Sequence, residues 1–467
     1  MKNKTPILLL PCVLAGNLLA QTIPDGKRLT DNGLLIGATA EVGSSNKEGL
    51  FSWTNAAKVK TVMAREFGLV QTTAYPAWGA WSGSDINSVS FDMSTSNQVI
   101  NWAKDNGKKA AVHLLSGSPT YFPDWLDGGS WTEPQLDTLM NHWITYAMTS
   151  NGNATKVDYW NVVNEAFMWN GSYWDSSSTA NTCPWQKMGW EADKSGLTGA
   201  ARVYTKHPAY IRRAFELARQ HTKAKLELRD YGIEFWDGSK KARAFYQLVK
   251  HLINSGTPID AVGFQGHFRT DFTYDWSKLQ QAVQEYRKLG LEVYVAETDY
   301  GDADPIAAAT TAHRTASYDT TQGQQLYAFT KAAAAGGVNW ICLWGVADNT
   351  NAYWRMGQSA LLFDESYNAK GSYYRFRQGI TEGLAATTSI GAKSLGETGF
   401  KAVAQAGRLR VQGMEDGAVE LMDLQGKVSA KVELQGGAGN LPSLPQGIYV
   451  VRSSRTPSLR NLVQILP

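Results

Sequence analysis

Short apolar runs alternate with helical patterns along most of the chain, from about residue 34 to residue 379. Apolar residues at helical spacing predict helices at 97–106, 134–150, 208–221, 242–255, 276–289 and 322–335. Seven intervening runs have the near-continuous apolar character of buried parallel strands: Leu34-Leu-Ile-Gly-Ala, Lys109-Ala-Ala-Val-His-Leu-Leu, Tyr159-Trp-Asn-Val-Val, Lys225-Leu-Glu-Leu-Arg, Val262-Gly-Phe-Gln-Gly, Glu292-Val-Tyr-Val-Ala and Val338-Asn-Trp-Ile-Cys-Leu-Trp.

This alternation predicts the α/β class and, within it, a (β/α)8 TIM barrel that an eighth strand closes. A doubly wound parallel sheet is the alternative. The chain carries neither the glycine-rich phosphate turn of that fold nor a P-loop, which favours the barrel. In a barrel, functional side chains lie where strands end and loops begin, so polar residues directly after an apolar run are the candidates for chemistry.

The pattern changes after Gly379. Residues 383–399 are rich in Ala, Thr, Ser and Gly, a composition typical of a linker. Beyond them apolar residues recur at every second position between Gly-rich turns, so residues 400–467 are predicted to form a small antiparallel β module. The barrel domain is accordingly assigned to residues 21–382.

The N-terminus has the layout of an export signal. A lysine-containing start precedes an apolar run from Ile7 to Leu19, which Ala20 closes. The run is too short to span a membrane and Pro11 interrupts it, so an uncleaved anchor is the weaker interpretation. Residues 1–20 are therefore predicted to be a signal peptide, and the protein is predicted to be secreted or displayed on the cell surface, without a membrane span.

Composition narrows the function. The net charge of +3 is spread over interspersed charges of both signs, which argues against nucleic acid or a membrane surface as the partner. After signal removal only Cys183 and Cys342 remain, so a disulfide scaffold and a structural zinc site are not expected, although a single bridge between the two cysteines is open. We expect a monomer without metal or cofactor. The 17 Trp and 20 Tyr fit either a core or a sugar-binding cleft.

Two glutamates stand directly after predicted strands. Glu165 ends Trp160-Asn-Val-Val-Asn, and Glu297 ends Val293-Tyr-Val-Ala. Glycoside hydrolysis needs two carboxyl groups that flank one bond, which makes this pair the natural candidate for that chemistry. The alternative for each is a structural carboxylate that bonds a loop or a helix end. Other polar residues at predicted strand ends are His113, Asn164, Asp230, Gln265, His267 and Asp299.

The segment Trp160-Asn-Val-Val-Asn-Glu-Ala resembles the Trp-Asp-Val-Val-Asn-Glu-Ala motif of glycoside hydrolase family 10, the endo-β-1,4-xylanases and their relatives. Leu228-Arg-Asp-Tyr-Gly-Ile-Glu is similar to the family's Tyr-Asn-Asp-Tyr-Asn-Ile-Glu, and Gly263-Phe-Gln-Gly-His to Gly-Leu-Gln-Ser-His. Gly290-Leu-Glu-Val-Tyr-Val-Ala-Glu-Thr-Asp resembles the nucleophile segment, and Leu343-Trp-Gly-Val-Ala-Asp the last strand. The ordered matches run from about residue 30 to residue 380.

The resemblance implies a barrel enzyme whose product keeps the anomeric configuration of the substrate, with Glu165 as acid/base and Glu297 as nucleophile. Retention goes with carboxyl groups about 5 to 5.5 Å apart. The implied substrate is xylan or a related plant β-glycan, with Asp299 in a supporting role. The implied substrate-binding residues are His113, Asn164, Asp230, Tyr231, Gln265, His267, Trp344 and Trp354.

Two loops depart from the family pattern. The family's Glu-Asn-x-x-Lys-Trp stretch after the second strand is replaced by Val70-Gln-Thr-Thr-Ala-Tyr-Pro-Ala-Trp, and the loop after His113 lacks a second His. Sites that lose such groups discriminate differently among sugars. The aromatic rings of Tyr75, Trp78 and Trp81, and those in the long loop from Phe167 to Gly199, either form stacking subsites or fill small loop cores.

The sequence therefore predicts a retaining endo-1,4-β-xylanase. The alternatives are a family relative that is exo-acting or depends on side chains of the polysaccharide, and a polysaccharide-binding barrel without turnover. The tail ends in Gly447-Ile-Tyr-Val-Val-Arg and an apolar close, and it resembles C-terminal sorting modules of secreted bacterial hydrolases. We expect it to engage the secretion machinery. A glycan-binding tail is the rival, but residues 400–467 contain no Trp.

Overall fold

The computed structural model describes the barrel region over residues 27–40, 50–51, 55–174, 183–301, 316–348, 355 and 358–395. In the tail it describes residues 401–405, 408–412, 414, 416–422, 428–444, 447–454 and 460–465. The predicted signal peptide and Trp354 lie outside the described residues.

Eight parallel strands form the centre of the described structure, and each pairs with two neighbours. The first strand pairs with both the second and the last, which closes the sheet. The predicted TIM barrel is therefore confirmed. The strands are β1 Leu35–Thr39, β2 Leu69–Thr73, β3 Lys109–Gly117, β4 Tyr159–Asn164, β5 Lys225–Asp230, β6 Ala261–Phe264, β7 Glu292–Gly301 and β8 Trp340–Leu343.

Helices cover the outside of the barrel. Several begin with caps that the sequence supplies: Ser239 accepts a hydrogen bond from the Ala242 N–H, and Thr132 forms a capping box with Gln135. The main helices of the described residues are α1 Ala56–Glu66, α2 Ser94–Asp105, α3 Glu133–Thr149, α4 Ala209–His221, α5 Lys240–Asn254, α6 Trp276–Lys288, α7 Ala316–Gly336 and α8 Gly371–Leu395. Short helical segments are Leu29–Asn32, Pro76–Trp78, Pro119–Tyr121, Asp124–Gly128, Ser150–Gly152, Asn153–Lys156, Pro184–Met188 and Gly199–Ala201.

The strands are buried on both faces, which explains their near-continuous apolar sequences. One face packs against the helices in the main core. The other fills the barrel interior, where the Tyr294 and Trp340 rings stack at 4.2 Å. Strand β2 was not among the seven predicted runs because its interior-facing Gln71 and the following Thr72 and Thr73 are polar, although all three are buried.

The segment predicted as a linker is partly helical, so that part of the prediction is wrong. Helix α8 continues to Leu395. A Cβ on Gly379 would lie 2.1 Å from Thr330 Oγ1, and one on Gly383 would lie 2.4 Å from the Lys331 carbonyl oxygen. These glycines therefore let α8 approach α7 closely as far as residue 383, where the predicted linker begins.

The tail forms two antiparallel sheets around a core of its own. This agrees with the predicted β module. Its strands are β9 Lys401–Gln405, β10 Arg408–Gln412, β11 Gly417–Met422, β12 Val428–Leu434, β13 Ala438–Asn440, β14 Gly447–Ser453 and β15 Arg460–Ile465. Minor strands in the barrel loops are Trp81–Ser82, Ser90–Phe91, Trp190–Ala192, Lys206–Pro208 and His267–Arg269.

Cys183 and Cys342 are separate buried thiols, so they do not form the single bridge that the sequence left open. Cys342 lies in the barrel interior and Cys183 in the loop after β4. Within the described residues, no helix combines the length and apolar character needed to cross a membrane.

Candidate active site

Because the strands are parallel, their carboxyl ends open onto one mouth of the barrel. The structure gathers most of the predicted site residues at this mouth. Glu165 follows β4, Glu297 lies within β7, and Gln265 lies between them after β6. Gln265 links the two glutamates directly: its Nε2 donates to Glu165 Oε1 at 2.7 Å, and its carbonyl oxygen accepts the Glu297 N–H at 2.8 Å.

Glu297 is buried, with 3% of its surface exposed, and lies among positive groups. Arg229 Nη1 donates to Glu297 Oε1 at 3.1 Å, and His267 Nε2 lies 3.2 Å from Oε2. Burial alone raises the pKa of this carboxyl group, but the neighbouring His113, His267 and Arg229 together outweigh burial and lower the pKa to about 2. Glu297 is therefore an anion at any ordinary pH.

His267 connects Glu297 to Asp299. Its Nδ1 lies 3.0 Å from Asp299 Oδ2. Burial alone lowers the pKa of the imidazole, but Asp299 and Glu297 raise it to about 9, so the ring is a cation at neutral pH. Arg355 Nε donates to Asp299 Oδ1 at 3.2 Å. Asp299 therefore orients His267.

Glu165 has neutral hydrogen-bond donors instead. Its backbone adopts φ +54°, a left-handed conformation that is rare outside glycine and is typical of functional sites. The Tyr121 hydroxyl donates to Glu165 Oε1 at 2.5 Å, beside the Gln265 amide. Burial raises the pKa of Glu165 and the negative charge of Glu297 adds to this, whereas the two hydrogen bonds oppose it, with a net upward shift.

His113 and Asn164 each have one buried polar atom that lacks a hydrogen-bond partner among the described residues. His113 Nδ1 lies 2.8 Å from Asn161 Oδ1, while its Nε2 is buried and unbonded. Burial lowers the pKa of His113 to about 3, so its ring is neutral. Asn164 Nδ2 donates to the Tyr121 hydroxyl at 3.1 Å, and its Oδ1 is left without a donor. The Trp344 ring meets His113 edge to face at 5.4 Å.

The structure places Asp230 and Tyr231 in different surroundings. Asp230 is completely buried; it accepts the Phe167 N–H at 3.1 Å and pairs with Lys241 at 2.8 Å. It thus anchors the loop that follows Glu165. Burial raises the pKa of Asp230 to about 7, although Lys241 works to lower it. Tyr231 is partly exposed and stacks on Trp169 at 5.6 Å with 15° between the rings.

The aromatic rings in the loops after β2 and β4 fall into two groups, one buried and one exposed. Trp81 is buried against Trp143, and in the long loop Tyr173 and Trp185 are buried as well. In contrast, Trp78 is 54% exposed and Trp169 is 76% exposed. The buried rings therefore belong to small loop cores, and the exposed rings are the candidates for stacking subsites. Residues 175–182 of the long loop lie outside the described part.

Sequence reasoning missed Tyr121 and Arg229 as members of the site. Tyr121 lies in a short helical segment after β3, and no local pattern marks it. Arg229 had a usable signal: Glu227 and Arg229 are charged residues two apart on a buried strand, so they point to the same face of the barrel. Buried charges need partners, and Arg229 has one in Glu297.

A second group of possible metal ligands lies outside the mouth. Ligand atoms of Asp193, His207 and His251 lie within 4.8 Å of one another. The Lys194 N–H donates to His251 Nδ1 at 3.0 Å, which places the ring proton of a neutral imidazole on Nε2, where Glu191 accepts it at 2.9 Å. His207 Nε2 is 3.1 Å from Asp193 Oδ1. Hydrogen bonding accounts for this cluster without a metal ion.

The family profile "Glycosyl hydrolase family 10" matches residues 29–378, the whole of the barrel from its first turn into α8. The chain belongs to glycosyl hydrolase family 10. It is a glycoside hydrolase, as the motifs around Glu165 and Glu297 indicated, and the resemblance seen in the sequence is confirmed.

Curated relatives of this family 10 enzyme include several that are named endo-1,4-beta-xylanases and one that is named Exoglucanase XynX, from Acetivibrio thermocellus, which is 27% identical over 61% of this chain and 24% of its own length. Endo-1,4-beta-xylanase B of Thermotoga neapolitana is 25% identical over 351 residues, which cover 73% of this chain and 89% of that protein. Endo-1,4-beta-xylanase B of Neocallimastix patriciarum is 30% identical over 63% of this chain but only 30% of its own length. Endo-1,4-beta-xylanase A of Cellvibrio japonicus is 26% identical over 65% of this chain and 48% of its own length.

Solved structures agree on the fold. Xylanase 10B from Thermotoga petrophila, in complex with xylobiose, superposes with a TM-score of 0.61 at 22% identity, over 77% of this chain and 98% of that one. Native xylanase10C from Cellvibrio japonicus gives a TM-score of 0.62 at 20% identity, over 78% of this chain and 73% of that one. The family 10 barrel is thus kept although most of the sequence has changed.

Proposed function

We propose that this family 10 enzyme is an endo-1,4-β-xylanase that hydrolyses xylan by double displacement with retention of configuration. The observation that carries the proposal is the opposite electrostatic setting of two glutamates held by one glutamine. Glu297 is kept anionic by Arg229 and His267, as a nucleophile must be, while burial and a nearby anion favour the protonated form of Glu165.

In the first step, a Glu297 oxygen attacks the anomeric carbon while Glu165 gives its proton to the departing glycosidic oxygen. The C–O bond to the leaving chain breaks and an ester to Glu297 forms. In the second step, Glu165, now a carboxylate, takes a proton from a water molecule, and the resulting hydroxide displaces Glu297. Two inversions leave the product in the original β configuration.

The change of role at Glu165 follows from charge. The anion of Glu297 raises the pKa of Glu165 in the free enzyme. Once Glu297 is an ester, that charge is gone, while His267 and Arg229 remain cationic. The field at Glu165 then favours its anion, the form that acts as a base.

Aromatic surfaces on both sides of Glu165 support a linear polysaccharide as substrate. The strand order places the loops of β2 and β3 on one side of β4 and the loop of β5 on the other. Trp78 meets Tyr75 edge to face at 4.6 Å on the first side, and Trp169 stacks on Tyr231 on the second. Such rings pack against the apolar C–H faces of pyranose sugars. A chain bound across both would be cut internally.

The mechanism and the mode of attack are tested together. Proton NMR of the first products from xylohexaose should show the β anomer before mutarotation, and size-exclusion chromatography of xylan should show the chain length falling before xylose accumulates. An α anomer as first product would refute double displacement. Xylose or xylobiose released from one end, with long chains persisting, would refute endo action.

A second candidate is a family relative that requires side chains on the polysaccharide. The observation in its favour is the replacement of polar groups by the Tyr75, Trp78 and Tyr121 rings, with Tyr75 and Tyr121 stacked at 5.4 Å. An aromatic wall forms fewer hydrogen bonds to unsubstituted sugar hydroxyls. Comparing kcat/KM on linear xylo-oligosaccharides with that on arabinose- or glucuronate-decorated ones separates the two candidates.

Export remains a proposal. We infer from residues 1–20 that the enzyme is secreted, and from the tail that a sorting system recognises the β module; that the secreted enzyme is a monomer is a separate expectation. Because α8 continues to Leu395, a truncation after that residue is a cleaner test than a cut inside the helix. Normal export of the truncated chain would refute the sorting role, and size-exclusion chromatography of the mature protein tests the monomer.

A further inference from the structure

Beside Glu297 lies a buried arginine that the two-step reaction does not itself consume. Arg229 is 1% exposed. Its Nε and Nη2 donate to the two oxygens of Glu227 at 2.7 and 2.9 Å, and Nη2 also donates to Gln71 Oε1 at 3.0 Å. Nη1 donates to Glu297 Oε1 at 3.1 Å. The guanidinium is thus held by a bidentate pair on one side and contacts the proposed nucleophile on the other.

The barrel interior is shaped to accept this arrangement. Gly263, on the neighbouring strand β6, pairs in register with Arg229. A Cβ at residue 263 would lie 1.7 Å from Glu227 Oε1 and 3.2 Å from Arg229 Cγ. A side chain there would therefore displace the Glu227–Arg229 pair. The Glu227–Arg229 pair on β5 therefore requires glycine at residue 263.

Arg229 stands at a point of departure from the family motif. The family's Tyr-Asn-Asp-Tyr segment has an asparagine where this chain has Arg229. Strand β2, where the Glu and Asn of the family are missing, instead supplies Gln71 as a second acceptor for the guanidinium. The altered second strand and the altered fifth strand therefore meet at Arg229.

We propose that Arg229, clamped by Glu227, is a positioning residue that fixes the Oε1 atom of Glu297 and stabilises the Glu297 carboxylate in the free enzyme. The proposal rests on Glu297 being the nucleophile. Glu227 gives the arginine a partner in both halves of the reaction: when Glu297 becomes an ester, Arg229 remains paired, so no isolated charge is left in the barrel.

Other charged or titratable groups also face Glu297. His267 is a cation at 3.2 Å after β6, and neutral His113 on β3 has its Nδ1 3.7 Å from Glu297 Oε1. Glu165 after β4 contributes a negative field when ionised, and Asp299 acts through His267. Removing Arg229 leaves His267 as the one cation in contact with Glu297 among the described residues.

The test compares R229N/E227Q with R229K. The double variant restores the family's asparagine without leaving Glu227 as a buried, unpaired charge. We expect the acidic limb of kcat/KM, which reports protonation of Glu297, to move to higher pH by about one to three units, the effect of losing an adjacent opposite charge on a carboxyl. In R229K the charge remains, so the limb should stay within about half a unit, while kcat falls about tenfold or more because the clamp is lost.

The matched control is R219N/D260N, which removes another arginine–carboxylate pair at the opposite end of the barrel strands. It should leave the acidic limb unchanged. Thermal unfolding of every variant verifies that it is folded, and if the double variant does not fold, R229K decides alone: wild-type kcat there would overturn the proposal. An unmoved acidic limb in a folded double variant would overturn it as well.

A trapping experiment distinguishes a wrong assignment of the nucleophile from a wrong role for Arg229. A 2-fluoro-xyloside with a good leaving group should trap wild-type enzyme as an ester on Glu297, identified by peptide mass spectrometry. If the label forms on another residue, the nucleophile is misassigned whatever Arg229 does. If Glu297 is labelled but the substitutions at Arg229 leave the pH profile of kcat/KM unchanged, only the positioning role of Arg229 is refuted.

Discussion

The two glutamates of the barrel mouth, Glu297 and Glu165, lie in opposite electrostatic surroundings. Glu297 lies against Arg229 and His267, two cations, whereas Glu165 lies against the Tyr121 hydroxyl and the Gln265 amide, two neutral donors. Both carboxyl groups are buried enough for burial to raise their pKa values. On the Glu297 side the cations reverse that effect; on the Glu165 side the neutral donors only moderate it.

Burial does not decide the role of either glutamate. Full charges within hydrogen-bond distance shift a carboxyl pKa by more than neutral donors do. The protonation of each glutamate is therefore set by residues on neighbouring strands: β5 and the segment after β6 for Glu297, and the loop after β3 together with Gln265 for Glu165.

The largest effect is expected from E297Q, which removes the anion itself. Turnover of xylan should fall by about four orders of magnitude or more, the scale on which loss of a catalytic nucleophile acts. Rates with purified substrate and azide rescue of E297A, with formation of an α-glycosyl azide, provide the measurement. E285Q, which alters a surface glutamate paired with Lys288, is the control and should keep wild-type rates.

A smaller and substrate-dependent effect is expected from E165Q. Loss of general acid catalysis should slow xylan hydrolysis by about 10²- to 10⁴-fold. Formation of the glycosyl-enzyme from an aryl xyloside with a good leaving group should slow far less, because such a leaving group needs no proton. Steady-state and burst kinetics on the two substrates make the comparison. Equal losses on both would contradict the role of Glu165.

Changing Tyr121 to Phe should move the pH profile without stopping the reaction. The Tyr121 hydroxyl donates to the charged form of Glu165 and so lowers its pKa. Removing that hydrogen bond raises the pKa. Because Glu165 must be protonated for the first step, the basic limb of kcat/KM should move to higher pH, by about one unit. Y327F, which removes a hydroxyl bonded to Glu382 outside the mouth, should leave the limb in place.

The smallest effect is expected at the exposed rim. W169A removes the ring that stacks on Tyr231 and should raise KM for xylohexaose about two- to tenfold, in line with the energy of one aromatic contact, while kcat changes little. Y146A, which removes a partly exposed ring from α3, is the control. An unchanged KM in W169A would show that this surface does not bind the substrate.

The sequence was informative wherever one local rule applied. Buried parallel strands need apolar residues on both faces, so most strands could be predicted. The ends of the predicted strands identified Glu165, Glu297, Gln265 and His267, although β7 continues past Glu297 to Gly301. Strand β2 was missed because the barrel interior pairs its polar Gln71 with Arg229 from a distant part of the chain. The extension of α8 into residues 383–395 was also not predicted, because the composition of that segment is typical of a linker.

The sequence identified the two glutamates of the site but not all of the residues that set their protonation. Tyr121 and Arg229 act through contacts with residues 44 and 68 positions away, and no spacing rule connects them to the two glutamates. A strong local motif can reveal the reacting groups, but the groups that set their protonation belong to other strands. Trp78 and Trp169 could likewise be identified as surface rings only after the barrel had positioned their loops.

The most direct test of this account is a ¹³C NMR titration of enzyme that carries labelled glutamate carboxyl groups, with E165Q and E297Q spectra for assignment. We predict that the Glu297 carbon remains in its anionic position down to about pH 3, as a pKa of about 2 requires, while Glu165 titrates above the ordinary range for glutamate. In the trapped glycosyl-enzyme, Glu165 should titrate at lower pH. A Glu297 that titrates above Glu165 in the free enzyme would contradict the account.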